Sequence, residues 1–287
     1  MSYDLHTHTN ASDGTLTPEA LVQQAHDAGI TTLAITDHDT TTGLEEAHRI
    51  AKQLNLRLIN GIELSVSWSQ TVIHIVGLNI DPGSLPIQQG TIELNRLREI
   101  RAIKIGESLA KSGFENAYTG AKSLAGDATI TRSHFAQYLV TQGCAKNVSK
   151  VFKHYLVRGK PGYVATQWAS LENAVSWITQ AGGIAVIAHP HRYKIGNKRF
   201  QNLLEDFKQY GGQAIEVVCS NSSQKDIVKF SRLSQRYHLL ASVGSDYHGP
   251  HQNWNGLGKL PVLPNNLTPV WSLFQDQTIQ LHDDQYH

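Results

Sequence analysis

Cysteine is nearly missing from this chain. Two residues, Cys144 and Cys219, stand among 287, so no disulfide framework can be drawn and a reducing cytoplasm is the expected setting. Long apolar runs are missing too. A stretch such as 182–188 falls well short of the ~20 residues that span a bilayer. The opening residues, Met1-Ser2-Tyr3-Asp4, carry neither the basic nor the apolar region of a secretory signal. Charge of one sign is scarce as well: Lys and Arg total 25 against 24 Asp and Glu, a formal net charge of +1 with histidine neutral. A grip on a long duplex needs a broad basic field, so any attraction to nucleic acid must be local, as for a nucleotide or short fragment. No nucleotide-cofactor fingerprint, nucleophile-elbow serine, internal repeat or low-complexity tract occurs. A composition of 40% hydrophobic and 17% charged residues is nevertheless that of a globular protein. The length allows one large domain, or one domain with an inserted lobe.

What is present is a rhythm of short β-branched runs and helical patterns. Strands are expected at 3–5, 32–36 (TLAIT), 57–60, 72–80 (VIHIVGLNI), 184–188 (IAVIA), 214–218 (AIEVV) and 239–243 (LLASV). Helices are expected at 18–28, between a Thr17 cap and Gly29, at 42–54, and near 171–180, 200–210 and 224–237. This alternation predicts a parallel α/β architecture. From about Pro82 to Ala165 the rhythm fails, and helical patterns at 92–112, 133–142 and 148–156 take its place. Residues 86–165 are therefore read as a helical insertion between barrel portions 1–85 and 166–287. Turn-rich sequence after Gly249, with Pro261, Pro264 and Pro269, suggests a tail packed on the barrel.

Nine metal-competent side chains punctuate this pattern at or near the expected strand ends: His6, His8, Asp13, His38, Glu63, His74, His189, Asp246 and His248. Each has an ordinary alternative, such as a hydrogen-bonded core histidine at 74, a solvated acid at 63, or a turn capped by Asp39 or Thr40. Their recurrence after strand upon strand does not. In extended chain His6 and His8 point to one face and can reach one ion. Six imidazoles and three carboxylates are too many for one ion and suit two or three. An open sheet would spread these strand ends apart, whereas a barrel brings them together at its C-terminal rim. The expected fold is an α/β, distorted seven-stranded (β/α) barrel with a helical insertion. A polynuclear site without a nucleotide-cofactor fingerprint points toward phosphate ester hydrolysis.

The motifs Asp4-Leu5-His6-Thr7-His8, Ser12-Asp13-Gly14, Thr36-Asp37-His38-Asp39, Gly61-Ile62-Glu63, His74-Ile75-Val76-Gly77, His189-Pro190 and Ser245-Asp246-Tyr247-His248 resemble the PHP (polymerase and histidinol phosphatase) phosphoesterases. The likeness covers about residues 1–85 and 165–250. It implies a distorted seven-stranded barrel with two or three metal ions. His6, His8, Glu63 and Asp246 would hold one ion; Glu63, bridging, would hold a second with His74 and His189; Asp13, His38 and His248 would hold a third. The nitrogen and oxygen donors suit Mn²⁺, Fe²⁺ or Zn²⁺ rather than Ca²⁺, and the resemblance favours Mn²⁺. Three dications bring about +6, of which three carboxylates neutralise about half, leaving a pocket that attracts a phosphate dianion. Such ions acidify water enough to supply hydroxide near neutral pH, so no side-chain nucleophile is required.

The insertion bears on the substrate. Thr131-Arg132-Ser133-His134 reads as a capped helix start, which suits a phosphate. A second basic turn spans Arg158 to Tyr163, and His191-Arg192 follows a candidate ligand. With the barrel motifs, these segments are similar to the PHP branch whose members remove the 3′-phosphate of nucleoside 3′,5′-bisphosphates and act as 5′→3′ exoribonucleases on short 5′-phosphorylated RNA. That likeness makes Arg132, His134, Lys160 and Arg192 candidate phosphate contacts, with His134 and Arg192 also candidates for the chemistry. His191 departs from the branch, which carries glycine there. Histidinol phosphate or another small monophosphate is the alternative substrate, and a proofreading or scaffold module acting with a separate partner is the alternative role. No obligatory protein partner and no membrane association are evident.

Overall fold

A computed structural model describes residues 2–250 and 256–274. The strands are β1 (Tyr3–Asp4), β2 (Thr32–Ile35), β3 (Arg57–Trp68), β4 (Thr71–Leu78), β5 (Ala169–Ser170), β6 (Ile184–Ile187), β7 (Ala214–Cys219) and β8 (Leu240–Gly244). Their order in the sheet is β1-β2-β3-β4-β6-β7-β8, with the short β5 paired to β3. The two ends of the sheet meet. Leu5 N–H donates to Val243 O at 3.1 Å, His8 N–H to Tyr247 O at 2.9 Å and Asp246 N–H to His6 O at 2.8 Å. The result is a nearly closed, distorted barrel, as expected from the converging motifs.

One direction differs from the all-parallel expectation. β4 runs antiparallel to both β3 and β6. Ser69 and Gln70 adopt φ of 45° and 64°, the left-handed pair that a two-residue hairpin turn demands. Neither residue is a usual signal for such a turn, so the runs at 57–60 and 72–80 looked like separate parallel strands. In fact β3 continues for 12 residues, through Trp68.

The helices are α1 (Pro18–Asp27), α2 (Leu44–Gln53), α3 (Leu85–Ala110), α4 (Ala117–Ala125), α5 (Arg132–Thr141), α6 (Val148–Val151), α7 (Leu171–Gln180), α8 (Asn197–Gln209) and α9 (Gln224–Arg236). Caps set several starts. Thr17 accepts from Ala20 N–H and Ser170 from Asn173 N–H, satisfying donors that have no partner within the helix. Successive side chains of β6, all buried, alternate between two cores. Ala185 and Ile187 pack outward with Ala174, Ile178 and Phe207, while Ile184, Val186 and Ala188 join Leu5, Ala34, Val76 and Leu78 inside the barrel. This is the two-residue period of a strand covered on both faces.

Helices α3 to α6 gather a core of their own around Ile105, Leu109, Phe135, Leu139, Val151 and Leu156. The first half of α3 belongs to the barrel instead, through Ile87 and Leu94. One long helix thus serves both cores. Of the expected tail, 251–255 and 275–287 lie outside the described residues. Its described part closes the end of the barrel: Val270 and Phe274 enter the interior cluster, and Trp271 stacks on Tyr3 at 4.0 Å. Among the described residues no helix is long and apolar enough to cross a membrane.

Candidate metal centre

All nine side chains singled out from the sequence converge at one rim of the barrel. Seven reach it from loops that follow strands. Glu63 and His74 do not: they lie within β3 and β4, where Glu63 pairs with Val76 and Ser65 with His74. The hairpin continues past the rim and carries both side chains to it.

Glu63 is the hub. Its Oε2 lies 2.9 Å from His38 Nδ1 and 3.3 Å from each of His6 Nε2 and His8 Nε2. Its Oε1 lies 2.9 Å from both His74 Nδ1 and His189 Nε2. Asp246 Oδ1 stands 3.1 Å from His8 Nε2 and 3.4 Å from His6 Nε2. Asp13 Oδ1 stands 3.2 Å from His248 Nε2 and 3.9 Å from His38 Nε2. Three overlapping groups emerge, each with its donor atoms within 4.8 Å of one another: His6, His8, Glu63 and Asp246; His38, Glu63 and His74; His8, Asp13, His38 and His248. The first matches a set expected from sequence. The others differ in detail, since His38 and His8 are shared while His189, whose Nε2 lies against Glu63, joins none of the three groups.

Contact without satisfaction makes the centre a candidate cation site. Glu63 Oε2, Asp13 Oδ1, His38 Nδ1, His8 Nδ1 and His189 Nδ1 are buried and have no hydrogen-bond partner, although two of these atoms, Glu63 Oε2 and His38 Nδ1, are only 2.9 Å apart. Buried polar atoms are normally paired. Atoms that crowd together without hydrogen-bond geometry fit ions placed among them. The donors are nitrogen and oxygen throughout, since the Cys219 sulfur faces Glu216 instead.

The electrostatics follow from burial and mutual proximity. Burial opposes the carboxylate of Glu63, but His38, His6 and His74 outweigh it and hold the group well below the usual range. For Asp246, burial is likewise overcome, chiefly by Arg192 and His248. Burial also works against the His8 cation, yet Asp246 and Glu63 push it up to about 10. His38 goes the other way, to about 4, because burial dominates there. The backbone is strained at the same rim. His189 has φ 28° and Asp246 φ 52°, conformations that cost non-glycine residues about 1–3 kcal/mol each and concentrate at functional sites. At Gly244 any Cβ would overlap His6 Cβ, so glycine is required beside His6.

Several contributors escaped the sequence reading. Asp37 accepts from Thr9 N–H, Thr9 Oγ1 and Ser12 Oγ at 2.6–2.8 Å, ordering the loop that carries Asp13. Asp39, read as a cap, is buried and accepts from Ser65 N–H at 2.7 Å and Arg98 Nε at 2.6 Å. Glu216 lies against His6 Nδ1 at 2.6 Å. A lone acid inside the apolar AIEVV run was a signal available in the sequence, because an ionised group is not buried without partners.

Beside Asp13, His38 and His74 opens a cavity of about 570 Å³. Arg98, Arg101, Arg132, Arg158 and Lys194 line it, with Phe152, Tyr163 and Trp168. Arg98 is engaged by Asp39 and Ser65. Arg101 Nε is buried without a partner, and burial beside Arg132 and Arg98 pulls this guanidinium down to about 9. Thr131 and Ser133 bring the N-terminus of α5 to the same wall. Of the substrate contacts expected from sequence, Arg132 lines the cavity. Arg192 lies on the rim, paired with Asp246. His134 is buried, its Nδ1 accepting from Thr131 N–H at 3.1 Å as part of the helix cap. Lys160 is exposed. Neither His134 nor Lys160 is among the lining residues.

Fold and site together define an α/β barrel with a histidine- and carboxylate-rich centre at its rim and an arginine-lined cavity beside it. The chain belongs to the PHP domain family, whose model matches residues 4–218. It is 43% identical over 269 residues to the 3′,5′-nucleoside bisphosphate phosphatase of Chromobacterium violaceum, covering 93% of this chain and 94% of that one. It is 43% identical over 275 residues to the 5′-3′ exoribonuclease Rnm of Escherichia coli, covering 95% and 94%. A solved structure of an amidohydrolase from Chromobacterium violaceum, with bound sulfate, superposes with a TM-score of 0.90 at 42% identity, covering 95% of each chain.

Proposed function

We propose that the protein is a metal-dependent phosphoesterase. Its substrates are nucleoside 3′,5′-bisphosphates, from which it removes the 3′-phosphate, and short 5′-phosphorylated RNA, from which it removes 5′ nucleotides. One observation carries this reading: the candidate metal centre and a group of arginines share a single cavity. The imidazole and carboxylate cluster lies at one wall, and Arg101 and Arg132 lie at another. A substrate with one phosphate would leave the arginines unused, whereas a 5′-phosphate on them places the next phosphate ester toward the cluster. The names of the two relatives describe these two activities.

In this reading His6, His8, Glu63 and Asp246 hold one ion. Glu63 with His74 and His189 holds a second, and Asp13, His38 and His248 a third. The donor set suits Mn²⁺, Fe²⁺ or Zn²⁺, and the family resemblance favours Mn²⁺. When bound, the ions supply Lewis acidity and an acidified water for attack on phosphorus. The chain's own side chains do the rest. Arg132 and Arg101 fix the 5′-phosphate, aided by the α5 N-terminus. Arg192 holds Asp246 in place, and Asp37 orders the Asp13 loop. Helices α3 to α6, which make up most of the insertion expected at 86–165, act as a cap that walls the cavity and measures one nucleotide from the 5′ end. Ser133 Oγ, donating to Asp13 Oδ2 at 3.0 Å, ties this cap to the centre.

The test is a substrate panel with Mn²⁺: adenosine 3′,5′-bisphosphate, AMP, histidinol phosphate, and one short RNA bearing either a 5′-phosphate or a 5′-hydroxyl. The bisphosphate and the 5′-phosphorylated RNA should be hydrolysed far faster than the other three. Equal rates on the two RNAs would end the phosphate-measuring reading.

A further inference from the structure

We propose that Glu216 is a positioning residue that sets the tautomer of His6 and the backbone of His189 at the same time. The inference rests on the metal-centre reading above. Glu216 stands in β7 between Ile215 and Val217, and only 1% of its surface is exposed. It does not line the cavity. Its Oε1 lies 2.6 Å from His6 Nδ1, and its Oε2 accepts the His189 N–H at 2.5 Å. One carboxylate on β7 thus holds two candidate ligands that follow β1 and β6.

Each contact has a consequence for ligation. With its proton on Nδ1 and donated to Glu216, His6 presents a lone pair at Nε2. That atom faces the cluster, 3.3 Å from Glu63 Oε2 and 3.4 Å from Asp246 Oδ1. A histidine that ligates through one nitrogen has its tautomer and orientation set by the partner of the other. His189, for its part, sits at φ 28°. Its captured N–H pins this unfavourable conformation, and with it the reach of Nε2 to Glu63 Oε1 at 2.9 Å.

The arrangement calls for a carboxylate and not merely a polar group of that size. Two N–H donors approach two different oxygens, and both oxygens must accept. Glutamine has one accepting oxygen and one donating NH₂. If the NH₂ faces His6, the ring must move its proton to Nε2 and lose its lone pair there. If it faces His189, two donors oppose each other and the loop must shift. Space-filling alone would be met by glutamine; positioning would not.

The experiment compares wild type, Glu216→Gln and Glu216→Asp. Mn²⁺ content is measured after equilibrium dialysis, with affinity by titration and steady-state kinetics on adenosine 3′,5′-bisphosphate. Glu216→Gln should bind Mn²⁺ about 10–100-fold more weakly, lowering kcat at subsaturating Mn²⁺ while KM stays near wild type. Glu216→Asp keeps both acceptors at shorter reach and should recover part of the affinity. A second measurement needs no variant: ¹⁵N-histidine NMR of the Zn²⁺-loaded wild type should show the His6 proton on Nδ1. Wild-type Mn²⁺ affinity in Glu216→Gln, or a His6 proton on Nε2, overturns the inference. A wild-type chain that takes up no Mn²⁺ overturns the metal-centre reading itself, and this inference with it. Equal loading of wild type and Glu216→Gln overturns this inference alone.

Discussion

Arg101 shows most clearly how one residue can serve function against stability. Its guanidinium is buried beside Arg132 and Arg98, which depresses it to about 9. The sign is plain: a base whose folded value is lowered destabilises the fold wherever it is protonated, and at neutral pH that penalty is fully present. A bound phosphate relieves it. Arg101→Met should therefore leave the ligand-free protein as stable as wild type or more so, with Tm unchanged or raised in differential scanning fluorimetry. It should also cut kcat/KM for 5′-phosphorylated substrates by roughly 10²-fold or more, in line with the ~1.5–3 kcal/mol of a charge-assisted contact and the penalty for an unpaired phosphate. A fall in Tm with unchanged kcat/KM would show Arg101 to be structural. At this scale the sequence was legible where chemistry is carried by short motifs. Six of the nine candidate ligands stood in HxH, DHD, HP or DYH contexts and the other three, Asp13, Glu63 and His74, in SDG, GIE and HIVG, and all nine converge. It was less legible for Arg98 and Glu216, whose partners lie at least 27 positions away in the chain.

At the scale of elements, the β3–β4 hairpin is what turns a parallel barrel into a platform for the centre. It carries Glu63 and His74 to the rim, and it was hidden because Ser69-Gln70 lacks the Asn-Gly or Asp-Gly signature of its turn. Helix α1 was easier, since its Thr17 cap stood in the sequence and accepts from Ala20 N–H in the structure. The position of His74 along β4 leaves one backbone edge with little strand pairing, because the ladder with β6 begins only at Ile75. The Tyr193 hydroxyl fills that gap, accepting from His74 N–H at 2.9 Å and donating to His74 O at 3.3 Å. Tyr193→Phe would strand the N–H, an omission worth about 1–3 kcal/mol for a buried donor. For a chain of this length that corresponds to a Tm fall of a few degrees. Mn²⁺ stoichiometry should drop more than kinetics on a saturated enzyme would suggest, since the displaced residue is a candidate ligand. An unchanged Tm and full metal content in the variant would assign the Tyr193 contact no positioning role.

For the whole molecule, the proposed ions would compete with protons for the same imidazoles, and this would tie stability to pH in opposite senses for the two forms. In the metal-free chain, burial opposes the His6 and His8 cations, but the surrounding carboxylates win. His6 is held well above its ordinary value through Glu216, Glu63 and Asp246, and His8 at about 10 through Asp246 and Glu63. A histidine raised in the folded state contributes stability that is complete below about 6.5 and is lost as pH climbs toward the folded value. The metal-free protein should thus weaken from about pH 6.5 to 10. Metal binding needs those nitrogens unprotonated, so ion affinity rises across the same window, and each ion captured by the folded chain adds stability through mass action, about 2.7 kcal/mol at a hundredfold excess over Kd. His38, held near 4, is already neutral and adds little to the slope. The gap in Tm between Mn²⁺-loaded and EDTA-treated protein should therefore widen from pH 6.5 to 8.5, with proton release on Mn²⁺ addition near neutral pH detectable as a buffer-dependent heat in titration calorimetry. A gap that stays constant or narrows over that range would mean that the ions are not displacing protons from His6 and His8, and the barrel-rim cluster would have to bind them through other atoms.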